Sequence, residues 1–364
     1  MIDFRSDTVT RPTAAMAQAM AAAPLGDDVF GDDPSINALQ AFAAEKFGFA
    51  GALFAPSGTM TNLIALMSHC QRGDEAIVGQ QWHTYKWEAG GMAVLGSIQP
   101  QPLAHQADGT IALADIAGAI KPDDAHFAKT RLIVMENTTG GQVLPLSYMQ
   151  DVAKLAKEKQ LSAHIDGARI MNAAVALAGK DNPSADAIWA QARALVQGYD
   201  SISVCLSKGL GAPVGSLLLG SEDFLKRAKR IRKMLGGGMR QAGMLAAAGH
   251  YALTHHVVRL QDDHSNALTL AQGFQEIAAE LGLASDFQVA LPQTNIVFCD
   301  LEANLASYFV AELAKNDVLC ISSSYQSQQQ QRAKLRLVTH LDISASDISR
   351  TLDISRRLLQ TWRP

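Results

Sequence analysis

Short apolar runs alternate with longer amphipathic stretches over the first two thirds of the chain. The runs 75–78, 132–136, 162–166, 201–206 and 215–219 read as strands, bounded by turn residues. Between them, stretches such as 60–67 carry apolar residues at helical spacing. That alternation predicts an α/β fold, a mostly parallel sheet covered by helices on both faces. From about His250 the pattern changes. A long polar-amphipathic helix is predicted past Arg259 and His264 towards Leu281. Short strands follow near 295–299 and 335–339, then a last helix from Ala345. The change places a boundary near residue 250. It separates a large domain, 1–250 with the N-terminal segment, from a smaller C-terminal α/β domain, 251–364. There is no internal repeat.

Two predicted strands run out into chemistry. The stretch LSAHIDGAR (161–169) puts Asp166 at a strand's carboxyl end, and SISVCLSKGLG (201–211) puts Lys208 just past another. Open α/β sheets bind ligands at that edge. A lysine there suits a Schiff base, and a nearby aspartate suits a protonated ring nitrogen. The pair is what pyridoxal phosphate requires. Separately, each residue is an ordinary turn or capping residue.

Further parts of such a site can be found. Ser57, Gly58 and Thr59 break a short apolar run and open the helical stretch 60–67. Backbone N–H groups, two hydroxyls and the positive end of a helix dipole suit a phosphate, and an N-cap without ligand would use the same residues. Downstream, QWHTYKWE (81–88) gathers aromatics around His83. An imidazole can stack on a pyridine ring and also move protons. Trp82, Tyr85 and Trp87 read as packing residues.

The chain resembles the low-specificity L-threonine aldolases, pyridoxal phosphate lyases of the aspartate-aminotransferase-like fold. The stretches that carry the resemblance are DFRSDTVTRPT (3–13), GDDVFGDDP (26–34), PSGTMTNL (56–63), HCQRGDE (69–75), HIDGARIMNAAVA (164–176), CLSKGLGAPVGSLLLGS (205–221), RKMLGGGMRQAGMLAAAG (232–249) and LRLVTHLDI (335–343). They span nearly the whole chain. Three features depart from the family pattern. Phe30 stands where the family has tyrosine, the segment 179–197 is longer and Ala-rich, and 325–331 holds a glutamine run that reads as a solvated loop.

The resemblance implies a large domain with a seven-stranded, mostly parallel sheet, and roles for named residues. Lys208 would bind the cofactor covalently, Asp166 would pair with its ring nitrogen, and Ser57, Gly58 and Thr59 would take its phosphate. Arg169 would contact the ring's 3-oxygen or the substrate carboxylate. Ser6 and Arg336 would complete the carboxylate site, where a guanidinium fork matches two oxygens. Either His83 or His126, directly or through a water, would remove the β-hydroxyl proton. The products would be glycine and acetaldehyde from threonine or allo-threonine, with activity on other β-hydroxy-α-amino acids. The glycine stretch 236–238 would let Lys233 and Arg240 reach the phosphate of a neighbouring subunit, in a tetramer built from two tight dimers. Transamination, racemisation or β-elimination would share Asp166 and Lys208 and differ in products. A regulatory protein on this fold would carry a DNA-binding extension.

Bulk properties narrow the class. The 364 residues exceed what one core supports, and 48% hydrophobic against 18% charged residues can bury a large core. A net charge of −4 gives no general attraction to nucleic acid or anionic membrane. The basic run 226–233 lacks supporting aromatics and reads as a solvated helix face. Cys70, Cys205, Cys299 and Cys320 stand far apart, which favours reduced thiols in a cytoplasmic protein over disulfides or zinc. His255, His256, Asp262, Asp263 and His264 match no metal-binding spacing, so no metal is expected. No apolar run approaches a membrane span of ~20 residues, and the N-terminus lacks the apolar core of a signal peptide.

Overall fold

The computed structural model describes residues 1–179, 182–326 and 331–363. In chain order the strands are Ile2–Asp3 (β1), Gly51–Ala55 (β2), Asp74–Gly79 (β3), Gln99–Leu103 (β4), Lys129–Glu136 (β5), Ser162–Asp166 (β6), Ser201–Cys205 (β7) and Ser216–Gly220 (β8). They continue with Phe287–Ala290 (β9), Ile296–Glu302 (β10), Val318–Leu319 (β11), Ile321–Gln326 (β12) and Gln331–Val338 (β13).

Strands β2 to β8 form a seven-stranded sheet in the order β2-β8-β7-β6-β5-β3-β4. Only β8 is reversed: it pairs antiparallel with β2 and β7, while the other pairs are parallel. The reversal follows from connection length. The loop after β7 turns back at the same edge of the sheet, whereas a parallel neighbour would need a full crossover. Every residue of β7 and β8 is buried, as expected of central strands covered on both faces. Helices Gly58–His69 and Glu222–Met234 cover one region, packing Ile64, Ala65, Phe224 and Ile231 on Leu53 and Leu218. The sequence pattern misses β4 because Pro100 and Pro102 interrupt it. As an edge strand, β4 tolerates prolines at alternate positions, whose missing N–H groups would break a central ladder.

The basic run lies on the helix Glu222–Met234 and is not uniformly solvated. Arg232 is buried, with Nη2 2.6 Å from Asp28 Oδ2 and Nη1 2.5 Å from the carbonyl oxygen of Phe54. With side chains only 3% and 7% exposed, the pair joins two stretches far apart in the chain. Removing one partner of such a pair strands the other's charge, so it ties the helix firmly to the end of β2.

The chain divides into two compact units, Pro12–Val258 and Met1–Arg11 with Arg259–Pro364. The first eleven residues therefore group with the C-terminal unit, where the sequence reading had counted them with the large domain. Hydrogen bonding explains it. β1 pairs parallel with β11, and the Phe4 carbonyl accepts from Val338 N at 2.9 Å. Phe4 enters the core of that unit with Phe274, Phe287 and Phe309. The unit's main sheet is antiparallel, in the order β12-β13-β10-β9. The predicted helix from 250 is broken: Gly243–Tyr251, a π-helical turn Ala252–His256, then Leu260–Glu280. The glutamine run occupies the ends of β12 and β13, and its residues 327–330 lie outside the described residues.

Candidate active site

Parallel strands bring the ends of β2, β3, β5, β6 and β7 to one edge of the sheet, and most of the predicted residues follow those ends. Ser57 caps the helix Gly58–His69, its Oγ accepting from Met60 N at 3.2 Å. Gly58 lies against the last residue of β7, since a Cβ added there would come 3.8 Å from Cys205 Sγ. The glycine stretch approaches the same turn. A Cβ on Gly237 would fall 2.2 Å from Met60 Sδ, so any larger residue there would have to displace that side chain, and Gly236 needs its positive φ of 80°.

Asp166 ends β6 and is buried. Its Oδ1 accepts from Ala168 N at 3.1 Å and its Oδ2 from Asn62 Nδ2 at 2.8 Å. Lys208 follows β7, and a narrow crevice beside it is lined by Gly167, Arg169, Asn172, Cys205 and Leu210. Arg169 is the residue before the helix Ile170–Ala178.

His83 follows β3 and opens a one-turn helix, His83–Lys86. Its backbone N–H donates to Glu136 Oε2 at 2.6 Å, and its Nδ1 lies 2.8 Å from Glu88 Oε1. Asn62 Nδ2 also donates to Glu88 Oε1 at 2.8 Å, so one amide bridges Glu88 and Asp166. Asn62, Glu88 and Glu136 were not among the sequence candidates. The one available signal is a polar residue inside an otherwise apolar element, as Asn62 is within TMTNLIALM (59–67).

Burial raises the pKa of Glu136 to about 8, with the charge of Asp166 adding to it and Lys208 and Arg169 opposing. Burial also raises Glu88, and the hydrogen bond from His83 partly offsets it. Ligand atoms of His83, Glu88 and Asp166 lie within 4.8 Å of one another, close enough to share a cation. The Asn62 amide, however, already donates to both carboxylates.

The remaining candidates fall elsewhere. His126 has an 87% exposed side chain and pairs with Asp124 at 2.7 Å. It precedes β5, whose eight residues rise about 26 Å before Glu136. His126 is therefore on the opposite edge of the sheet from Glu136 and Asp166 in its own chain. Arg240 pairs with Asp27 at 3.0 Å, and Lys233 passes over Gly238. Phe30 is 78% exposed. Ser6 and Arg336 belong to the other unit. They are neighbours there, because Arg336 Nη2 donates to the carbonyl of Arg5 at 3.0 Å. Of the histidine–aspartate group set aside above, His256 bonds the Leu210 carbonyl at 2.8 Å and Asp263 pairs with Arg259.

The donor set fits pyridoxal phosphate. A helix start after β2, a buried carboxylate after β6 and a lysine after β7 share one edge of the sheet, and the buried Asn62 Oδ1 and Thr84 Oγ1 have no hydrogen-bond partner among the described residues. The sheet order with its single reversed strand is the aspartate-aminotransferase-like fold of pyridoxal phosphate enzymes. A threonine aldolase of Leishmania major superposes with a TM-score of 0.79 at 22% identity, covering 99% of this chain and 100% of that one. A serine palmitoyltransferase of Sphingomonas wittichii gives 0.73 at 16% identity, over 99% and 87%.

The chain belongs to the beta-eliminating lyase family, whose model matches residues 3–304. It is 50% identical over 349 residues to the low specificity L-threonine aldolase of Escherichia coli O157:H7, covering 96% of each chain. It is 40% identical over 371 residues to low-specificity L-threonine aldolase 1 of Arabidopsis thaliana, covering 100% of this chain and 97% of that one.

Proposed function

We propose that this chain is a pyridoxal-phosphate-dependent lyase that cleaves L-threonine and L-allo-threonine to glycine and acetaldehyde, and accepts other β-hydroxy-α-amino acids. The observation that carries the reading is the placement of Asp166 and Lys208 after neighbouring parallel strands, in a chain 50% identical to an aldolase of that name. When bound, pyridoxal phosphate supplies a ring that accepts the electron pair released at Cα.

The protein's own residues then have distinct tasks. Lys208 holds the cofactor, with its phosphate at Ser57, Gly58 and Thr59. Asp166 keeps the ring nitrogen protonated, its own carboxylate steadied by Asn62. Arg169 reaches the ring's 3-oxygen or the substrate carboxylate. Ser6 and Arg336 would hold that carboxylate and so orient the substrate for cleavage at Cα–Cβ. His83 stacks on the ring and takes the β-hydroxyl proton at Nε2, since Nδ1 is engaged by Glu88. His126 could serve only if contributed by another copy of the chain.

Incubation of the purified protein with L-threonine tests this. Acetaldehyde and glycine in equal amounts are expected. A 2-oxo acid with ammonia, or an amino group transferred to an acceptor, would assign one of the other pyridoxal phosphate reactions.

The assembly that suits this site is a tetramer of two dimers, with Arg240 and Lys233 reaching a partner's phosphate. A cytoplasmic location suits the four free cysteines, three of them buried. Among the described residues no helix is long and apolar enough to cross a membrane.

A further inference from the structure

His83 sits on a short, half-exposed element. Its helix is four residues long, and its side chain is 41% exposed. An isolated turn cannot hold an imidazole in one plane, because a ring on a surface turn samples several rotamers. Two carboxyl groups, Glu88 and Glu136, supply the hold instead. Glu136 Oε2 accepts the His83 backbone N–H at 2.6 Å, and Glu88 Oε1 meets the ring at Nδ1 at 2.8 Å.

Asn62 decides what Glu88 can do. Its amide nitrogen donates at 2.8 Å to Glu88 Oε1 and at 2.8 Å to Asp166 Oδ2. Turning the amide over would set its oxygen against two carboxylates, so the orientation is fixed by charge. The Glu88 side chain is only 4% exposed, and Asn62 sits in the interior of the helix Gly58–His69. Held in this way, Glu88 accepts from both neighbours. His83 then carries its proton on Nδ1, and Nε2 is left with its lone pair.

We infer that Glu88, fixed by Asn62, is a positioning residue that sets the plane and tautomer of His83 and so presents Nε2 as the proton acceptor. This rests on the reading of His83 as the base. It adds a link between the base and the ring anchor, since one amide steadies both Glu88 and Asp166. The charged groups around His83 are Glu88 on its own segment and Glu136 on β5. Asp166 acts through Asn62, and Lys208 and Arg169 act on Glu136.

The experiment compares wild-type holoenzyme with Glu88→Gln and Glu88→Asp, reading threonine cleavage, the visible absorbance of the bound cofactor, and exchange of the His83 C2 proton by mass spectrometry. Glu88→Gln is nearly isosteric and should keep the cofactor band. Its kcat should fall about 10- to 100-fold with KM changed less than about threefold. At one fixed pH the His83 C2 exchange rate in Glu88→Gln should differ from wild type by at least about twofold, because the partner at Nδ1 has changed. Glu88→Asp keeps a carboxylate acceptor at a shorter reach, so it should recover part of the lost kcat. Wild-type kcat in Glu88→Gln, or an unchanged exchange rate despite a lost kcat, would overturn the inference. A wild-type enzyme that does not cleave threonine would refute the proposed reaction instead, and the exchange comparison would still decide the Glu88 contact.

Discussion

Glu136 and Asp166 stand directly opposite each other at the carboxyl ends of β5 and β6. Asp166 is buried and Glu136 half-buried, and the charge of Asp166 disfavours ionisation of Glu136. The site resolves this by division of labour. Asp166 receives N–H donors from Ala168 and Asn62, whereas Glu136 receives only the backbone N–H of His83 and is pushed up to about 8. Near neutrality Glu136 keeps its proton.

That division predicts a pH dependence of stability. A carboxyl whose folded pKa is raised contributes most below its ordinary value of 4.5, and loses that contribution as pH climbs towards about 8. The wild type should therefore lose roughly 3 kcal/mol of stability between about pH 5 and pH 8 from this group alone. Glu136→Gln should flatten that slope. Chemical denaturation across the pH range checks it, and parallel slopes in the two proteins would count against a protonated Glu136.

Arg336 provides a second test. Its Nη2 donates to the carbonyl of Arg5, the residue before Ser6. Arg336→Ala should raise KM for threonine at least about tenfold and lower kcat as well, because a clamp both binds and orients. Cofactor affinity should change little. Steady-state kinetics with unaltered KM and kcat would reduce Arg336 to a strand residue.

Much of this was legible in the sequence. Asp166 and Lys208 stand at the ends of runs that are buried in all but the first residue of β6, and such runs signal their strands without help from the rest of the chain. The last helix begins at Ala345 as its pattern predicts, because Ser344 and Asp347 form a capping box. What escaped was set by pairing over distance. Asn62 is 26 residues from Glu88 and 104 from Asp166, and no local pattern couples them. The N-terminal segment escaped for the same reason, since its strand partner begins at Val318. His126 looked usable from motif position alone, and only the direction of β5 shows which edge of the sheet it occupies.

Shared sites have their own signature. Lys208→Ala and Arg240→Ala should each be nearly inactive, whereas refolded mixtures should recover activity, because each hybrid dimer holds one site with both lesions and one with neither. Recovery no better than the sum of the parents, with hybrids demonstrated, would place Arg240 within its own chain, where it pairs with Asp27.

The account turns on Lys208 as the residue that holds the cofactor. Reducing the holoenzyme with borohydride and mapping the modified peptide tests this most directly. The account predicts one pyridoxyl group per chain, on Lys208, and none trapped in Lys208→Ala. A label on another lysine, or an unlabelled chain in a preparation that still shows the cofactor's visible absorbance, would contradict it.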